Sequence, residues 1–397
     1  MLKAVIFDMD GVLIDSEPLH AKAAVLAFKN IGVNITLEYC YQFIGRTNAH
    51  MLETIIHDYN LTYSCEELLD LYNESRRQLI DKEGYSPIPY TKELIEDLYR
   101  HGIKLAIASS SSIQDIEEVV TSLGIKKYFD HLISGTTVKH PKPAPDVFLK
   151  AAQELGVHTN ECIIIEDSYS GLMAGKSADI PVIGFANPNS GNQNLSDACI
   201  IIEGFDEIDY NYLNQIHARE NGEPVTITNT SRLTIRELSE NDLDDLKETY
   251  AQPDVNKYIE DIDNDLDIEI EKQKAYIKNI YSFYGYGLWG VYHKETGKLI
   301  GRCGIQNRKI QGKEEIELGY LLSKDYWGSG FASESGKAVI NYAFHTLQIQ
   351  RIVAVIEPEN YRSVKVAERI GMSKENTVII NNKEYFLYSI EIPSKPY

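Results

Sequence analysis

Five short apolar runs, Ala4–Phe7, Ile103–Ala108, Cys162–Ile165, Pro181–Phe185 and Cys199–Ile202, are spaced at helix-length intervals. Two of the segments between them end in Leu-Gly, at Leu123-Gly124 and Leu155-Gly156, a common way to close a helix. Runs this short and apolar predict strands buried on both faces, and their alternation with helices predicts a parallel sheet with helices on each side. Residues 16–85 break the rhythm. The amphipathic stretches Pro18–Asn30, Thr47–Tyr59 and Cys65–Glu83 predict a helical insert over the sheet.

Near residue 214 the order changes. The polar stretch 217–224 and the Thr/Asn-rich 225–231 read as a linker at 216–230. Beyond it the patterns predict a strand (Arg232–Leu238), two helices (Glu240–Tyr250 and about Ile268–Tyr281) and three strands (Gly287–His293, Leu299–Ile305, Ile316–Leu322). A helix (Phe331–Leu347), a strand (Arg351–Glu357), a helix (Ser363–Ile370) and a hairpin about Asn381-Asn382 complete the series. The expected fold class is α/β: a Rossmann-like parallel sheet with a helical cap (core 1–15 and 86–215, cap 16–85), then a mixed α+β domain at 231–397. No internal repeat is evident.

At 397 residues the chain has room for two or three domains. It carries 39 Lys and Arg against 59 Asp and Glu, a net charge of −20, and residues 1–230 alone hold 17 against 33. So acidic a chain is not expected to bind a nucleic-acid backbone, which must be met by Lys and Arg. The five cysteines are an odd number without a CxxC pair, which predicts neither a disulfide framework nor a zinc cluster. No 18-residue apolar stretch occurs, and the opening run is too short and too soon acidic for a signal peptide, so no membrane partner and a cytoplasmic location are expected.

Asp8 and Asp10 directly follow the first predicted strand, at the edge where open α/β sheets bind ligands. Ser109 closes the second run, Lys142 lies in a Pro-rich loop, and Glu166-Asp167 closes the third run. A doubly wound sheet brings these ends to one crevice, and two carboxylate pairs, a hydroxyl and a cation around one point suit Mg²⁺-assisted phosphoryl transfer. Asp8 is the expected nucleophile and Asp10 the acid and then base. Ser109 and Lys142 would grip the phosphoryl oxygens, and Asp8, the Asp10 carbonyl and Asp167, with Glu166 close by, would hold the metal. The motifs Asp8-Met-Asp10-Gly-Val-Leu-Ile-Asp15, Ser109, Lys142-Pro-Ala-Pro-Asp146 and Ile165-Glu166-Asp167-Ser168-Tyr-Ser-Gly171 together resemble the haloacid dehalogenase superfamily, in the subgroup of β-phosphoglucomutase and the sugar phosphatases. The resemblance covers residues 1 to about 215 and implies a small phosphorylated metabolite as substrate, selected by the cap. Where the mutase has a cap arginine, three residues beyond a glycine matched to Gly45, this chain has Asn48, with Arg46 nearby. Phosphatase is therefore expected ahead of phosphomutase.

The stretch Tyr326-Trp327-Gly328-Ser329-Gly330-Phe331-Ala332 sits between a strand and a helix, and its small residues expose backbone N–H groups suited to phosphate. It fails both the Walker A and the GxGxxG patterns. Together with Glu315–Leu322, Glu357-Pro-Glu-Asn360-Tyr-Arg-Ser363 and Glu368–Met372, it resembles the GNAT acetyltransferases, in the branch of ribosomal-protein N-terminal acetyltransferases, over about 231–393. The resemblance implies acetyl-CoA bound by Trp327, Gly328, Ser329, Gly330, Phe331 and Ala332, with Asn360 and a strand ending at Leu322 also in contact, and an amine acceptor. Trp327 stands where many members carry Gln or Arg, and Ala367 replaces a tyrosine that many use as the acid. Glu317 is the candidate base or a structural acid, and Ser363 the candidate acid or a helix cap. The run Asp254–Glu271 holds eight acids against Lys257 alone, which reads either as a solvated acidic loop or as a field drawing a cationic amine. The whole is expected to be a bifunctional enzyme, phosphatase and N-acetyltransferase. The alternative keeps one module as a ligand-binding or regulatory part.

Overall fold

In the computed structural model, which describes residues 1–44, 48–259, 263 and 265–392, every residue of strand β1 (Ala4–Phe7) is buried because helices cover both faces of its sheet. The other strands of that sheet are β2 (Lys104–Ser109), β3 (His131–Ser134), β4 (Cys162–Glu166), β5 (Val182–Phe185) and β6 (Ile200–Ile202), ordered β3-β2-β1-β4-β5-β6 and parallel throughout. Val5, Phe7, Leu105, Ile107, Ile163 and Ile165 face one helical layer, and Ala4, Ile6, Ala106, Ala108 and Ile164 face the other. This period-two division is what forces the continuous apolar runs.

The insert is helical: α1 (Ser16–Asn30), α2 (Leu37–Tyr41), α3 (Asn48–Asp58) and α4 (Cys65–Glu83) close a separate core around Ala24, Phe28, Leu52, Ile55 and Tyr72. Helices α5 (Thr91–Arg100), α6 (Ile113–Ser122), α7 (Asp146–Leu155), α8 (Tyr169–Ser177) and α9 (Tyr210–Glu220) flank the sheet. Strand β3 has no sequence counterpart above, since four residues beginning with histidine and ending with serine carry too little pattern.

The chain divides into two units, Met1–Asn221 and Gly222–Tyr397. The expected linker at 216–230 is corrected here. Helix α9 runs through its first five residues, and strand β7 (Thr226–Asn229) pairs antiparallel with β8 (Leu233–Arg236). The second sheet continues with β9 (Leu288–His293), β10 (Leu299–Ile310), β11 (Lys313–Leu322), β12 (Arg351–Ile356), β13 (Ser373–Ile380) and β14 (Lys383–Glu391), in the order β13-β14-β12-β11-β10-β9-β8-β7. Helices α10 (Leu243–Tyr250), α11 (Pro253–Asn256), α12 (Leu266–Tyr284), α13 (Phe331–His345) and α14 (Tyr361–Arg369) complete the unit. The last hairpin turns at Asn381-Asn382 with φ of 50° and 62°, the left-handed pair a two-residue turn requires. Strands β11 and β12 are the parallel neighbours of this sheet and share one register pair, Glu317 with Val353, among the described residues. Beyond that pair their edges part.

Candidate active sites

Carboxyl ends of adjacent parallel strands deliver the first site. Asp8 extends β1, its N–H donating to the Ile165 carbonyl at 2.9 Å. Lys142, from the loop before α7, donates through Nζ to Asp8 Oδ1 at 2.5 Å, to Glu166 Oε1 at 2.8 Å and to the Ala108 carbonyl at 3.0 Å. Three donors thus meet three acceptors, and the ammonium is fully satisfied. Glu166 is held from its other oxygen by the N–H and hydroxyl of Ser168, at 2.7 and 2.9 Å, and Ser168 also caps α8 through the Gly171 N–H. Asp167 accepts from the Ser190 hydroxyl. Ser109 is buried at the end of β2, its Oγ accepting from the Ser111 N–H at 3.1 Å, while the Ser111 hydroxyl donates to Asp10 at 2.7 Å. Two glycines are obligatory: a Cβ at Gly11 would fall on the Asp167 carboxylate, and one at Gly171 on that of Glu166.

Electrostatics follow from this crowding. Burial pushes the Asp8 carboxyl up to about 7, Glu166 and Asp10 adding to the rise and Lys142 opposing it. Asp167 is held well above the usual carboxylate range by burial and then by the charges of Glu166 and Asp8. Burial works against the charge on Lys142, yet Asp8 and Glu166 outweigh it and hold the ammonium above its ordinary value.

These residues fit a magnesium ion by the chemistry of their oxygens. Asp8 and Asp167 each keep one carboxylate oxygen that accepts no hydrogen bond among the described residues, and the two carboxylates repel one another. Buried oxygen anions with spare lone pairs are what a hard divalent cation takes. The expected four-carboxyl cluster is looser than its sequence spacing implies. No group of three or more His, Cys, Asp or Glu stands ready to hold a metal among the described residues, because Lys142 takes Glu166 and Ser111 takes Asp10.

The second unit opens a cavity of about 980 Å³ where β11 and β12 part. Glu317, Leu322, Trp327, Gly328, Gly330, Phe331, Ala332, Asn360 and Ser363 all line it, so one cavity gathers all the expected residues of this unit except Ser329. Gly328 and Gly330 have φ of 80° and 83°, and Gly330 opens the 15-residue α13 without a side-chain cap. The first N–H groups of that helix therefore face the cavity rim with no intrahelical partner. The buried Ser333 hydroxyl, also in the wall, has no partner among the described residues. This is an anion cradle that a coenzyme pyrophosphate fits. The Leu322 carbonyl accepts from the Trp327 indole at 2.7 Å, and Asn360 Oδ1 accepts from the Ser363 N–H, capping α14. Glu317 is buried, with Arg308 donating to one carboxylate oxygen at 2.7 Å and Gln306 to the other at 3.1 Å.

Several participants escaped the sequence reading. Asn187 and Ser190 follow β5 at the same carboxyl edge as Asp8, so the strand-end rule itself could have found them. Arg302 lies buried in β10, a lone charge inside the otherwise uncharged stretch Leu299–Gln306. Gly45 and Arg46 of the cap, and Glu260 and Asp261 of the acidic run, lie outside the described residues.

A capped parallel sheet with acids and a lysine at its strand ends, followed by a mixed sheet split over a helix N-terminus, defines a hydrolase joined to an acyltransferase. Sequence comparison agrees: residues 5–185 match the model of the haloacid dehalogenase-like hydrolases, and residues 232–373 that of the GNAT acetyltransferase domain. The chain belongs to both families, a haloacid dehalogenase-like hydrolase fused to a GNAT acetyltransferase. It is 32% identical over 179 residues to the phosphorylated carbohydrates phosphatase of Thermotoga maritima, covering 45% of this chain and 82% of that protein. It is 35% identical over 147 residues to the uncharacterized N-acetyltransferase p20 of Bacillus licheniformis, covering 37% of this chain and 82% of that protein. The crystal structure of β-phosphoglucomutase from Clostridium difficile aligns with a TM-score of 0.46 at 26% identity, over 55% of this chain and 98% of that one. The chain spans only 18% of the length of Protein SUPPRESSOR OF QUENCHING 1, chloroplastic, of Arabidopsis thaliana and 61% of the uncharacterized protein YkkB of Bacillus subtilis.

Proposed function

We propose that the first unit is a Mg²⁺-dependent phosphatase of small phosphorylated metabolites, sugar phosphates among them, and the second an acetyl-CoA-dependent amine N-acetyltransferase. The observation that carries the phosphatase reading is Lys142 bridging Asp8 and Glu166 in a buried, acid-rich strand-end crevice. Asp8 attacks phosphorus, the ester P–O bond breaks, and Asp10 protonates the leaving oxygen. Asp10 then takes a proton from water, which attacks the aspartyl phosphate and frees Asp8 and inorganic phosphate. Ser109 and Lys142 bind the phosphoryl oxygens. A magnesium ion held by Asp8, Asp167 and the Asp10 carbonyl would supply the positive charge that lets an anionic nucleophile approach an anionic ester. Asn48 at the start of α3, in place of a cap arginine, favours transfer to water over transfer to a second sugar hydroxyl.

In the second unit the amine attacks the thioester carbonyl carbon, the C–S bond breaks, Glu317 takes the amine proton and Ser363 protonates the departing thiolate. The edge of β11 beyond Glu317, unpaired towards β12, offers backbone groups to the pantetheine arm. Four acids of the 254–271 run have nearby lysines: Asp254 with Lys324, Asp263 with Lys272, Asp267 with Lys247 and Glu271 with Lys274. Half of the run's eight acids are thereby paired, which favours its reading as a solvated face. We place the enzyme in the cytoplasm: its five cysteines are free, and among the described residues no helix is long and apolar enough to cross a membrane. Phosphate release from a panel of sugar phosphates with and without magnesium, and thiol release from acetyl-CoA with an amine panel, test the two halves separately.

A further inference from the structure

Arg302 is 4% exposed, in the middle of β10, with a side chain in the wall of the second unit's cavity. Its Nη1 donates to the Tyr250 hydroxyl at 2.6 Å and to Gln273 Oε1 at 2.9 Å, both neutral oxygens. The guanidinium lies 5.2 Å from the centre of the Tyr276 ring. Its Nε has no hydrogen-bond partner, and no carboxylate lies within ion-pair distance of it among the described residues. A buried guanidinium with neither counter-ion nor a full set of acceptors is costly, because an arginine cannot shed its proton.

The register places this charge on the face of the sheet that carries Glu317. Arg302, Gln306 and Arg308 alternate along one face of β10, opposite Leu321, Glu317 and Glu315 of β11, so Arg302 shares a sheet face and a cavity with the candidate base. Four residues of strand, about 13 Å, separate the level of Arg302 from that of Glu317. Gln273 links the cation to an anion in the same wall, since its Nε2 donates to Glu269 Oε1 at 2.7 Å while its Oε1 accepts from Arg302. Beside Glu269, the planar fork of Arg302 matches one carboxylate.

We propose that the acetyl acceptor is an amine that also bears a carboxylate, an amino acid in the broad sense, and that the cavity-lining guanidinium of Arg302, whose Nε is unpartnered, binds that carboxylate. This rests on the acetyltransferase reading of the second unit. The bound acceptor supplies the counter-ion that Arg302 lacks among the described residues, so affinity comes from relieving a buried, uncompensated charge. A polyamine, which has no anion, would leave Arg302 as it is and add repulsion.

The test is acetyl-CoA turnover by the full chain against matched triplets of free amino acid, its carboxamide and its decarboxylated amine, α- and ω-amino acids included. Acetyl-CoA binding is measured in parallel by calorimetry. The proposal expects kcat/KM for the free acid at least about tenfold above both analogues, which corresponds to about 1.4 kcal/mol. Arg302→Met should bring that ratio to about one, and Arg302→Lys should restore part of it. An arginine that only ties α10 and α12 to the sheet would change the melting temperature and leave the ratio alone. If Arg302→Met does not fold, the wild-type ratio still decides. Equal or better turnover of the analogues overturns the proposal, as does acetyl-CoA binding with no carboxylate-bearing amine turned over. Absence of acetyl-CoA binding overturns the acetyltransferase reading beneath it.

Discussion

At the scale of single residues, the first site is an exercise in seating too many negative charges around one lysine. Replacing Asp8 by Asn removes the attacking carboxylate and leaves Lys142 paired with Glu166, so phosphate release is expected to fall by about 10³-fold or more while the chain stays folded. Turnover of sugar phosphates within tenfold of wild type would exclude Asp8 as the nucleophile. Gly171→Ala tests the seating itself. The added methyl would land on the Glu166 carboxylate and pull it from Lys142 and Ser168, so a loss of about 1–3 kcal/mol in stability is expected together with loss of phosphatase activity. An active, equally stable Gly171→Ala protein would show that Glu166 has room to shift. Asp8, Asp10 and Glu166-Asp167 were legible as candidates because each closes or follows an apolar run, and Lys142 because it lies in a Pro-rich loop. Arg302 and its partners Tyr250 and Gln273 could not, for they converge from a strand and two helices.

At the scale of elements, strands written as continuous apolar runs were legible even at three or four residues, as β1, β5 and β6 show, and those without such a run were not. Strand β3, four residues long, and β7, hidden in a polar stretch, gain their identity only from the neighbours they pair with. The terminal hairpin offers a pH test. Arg351 on β12 bonds Glu375 of β13 at 2.7 and 2.9 Å and Glu391 of β14 at 2.9 Å. The hydrogen bonds from Arg351 and then from Ser389 pull the Glu375 carboxyl down to about 2, from an ordinary 4.5. A depressed folded pKa means stability present above the unfolded value and lost as pH falls through the folded one, here from about pH 4.5 to 2. Glu375→Gln should therefore flatten the acid dependence of the second unit's unfolding across that window. The effect is expected to be small, because Glu375 is about a third exposed and its pairing is screened by solvent. An unchanged slope between pH 4.5 and 2 would mean that the pair contributes nothing to folding.

At the scale of the whole molecule, the division at Asn221/Gly222 predicts which fragments survive. Residues 1–221 keep α9 entire, with Leu213 and Ile216 in the first unit's core and His217 bonded to the Asn160 carbonyl at 2.8 Å. Residues 222–397 keep β7 on the edge of the second sheet. These two fragments are expected to be soluble and to melt as the two transitions of the full chain. Fragments cut at 215 and 231 should be less stable, the first with α9 severed and the second with the edge of β8 uncovered. Equal melting temperatures for the two pairs of fragments would show that neither segment contributes to its unit.

The amino-acid sequence alone determined the class of each half, because a parallel sheet buried on both faces must be written as short apolar runs and because strand-end chemistry sits beside those runs. It also located the glycine-rich turn before α13, since glycine takes its left-handed backbone without steric cost. Where the first unit ends, which acids Lys142 holds apart, and that Arg302 stands without a counter-ion among the described residues were decided by tertiary structure. Each of these depends on distances between residues far apart in the chain, and a buried charge acquires its cost only when packing has removed its water.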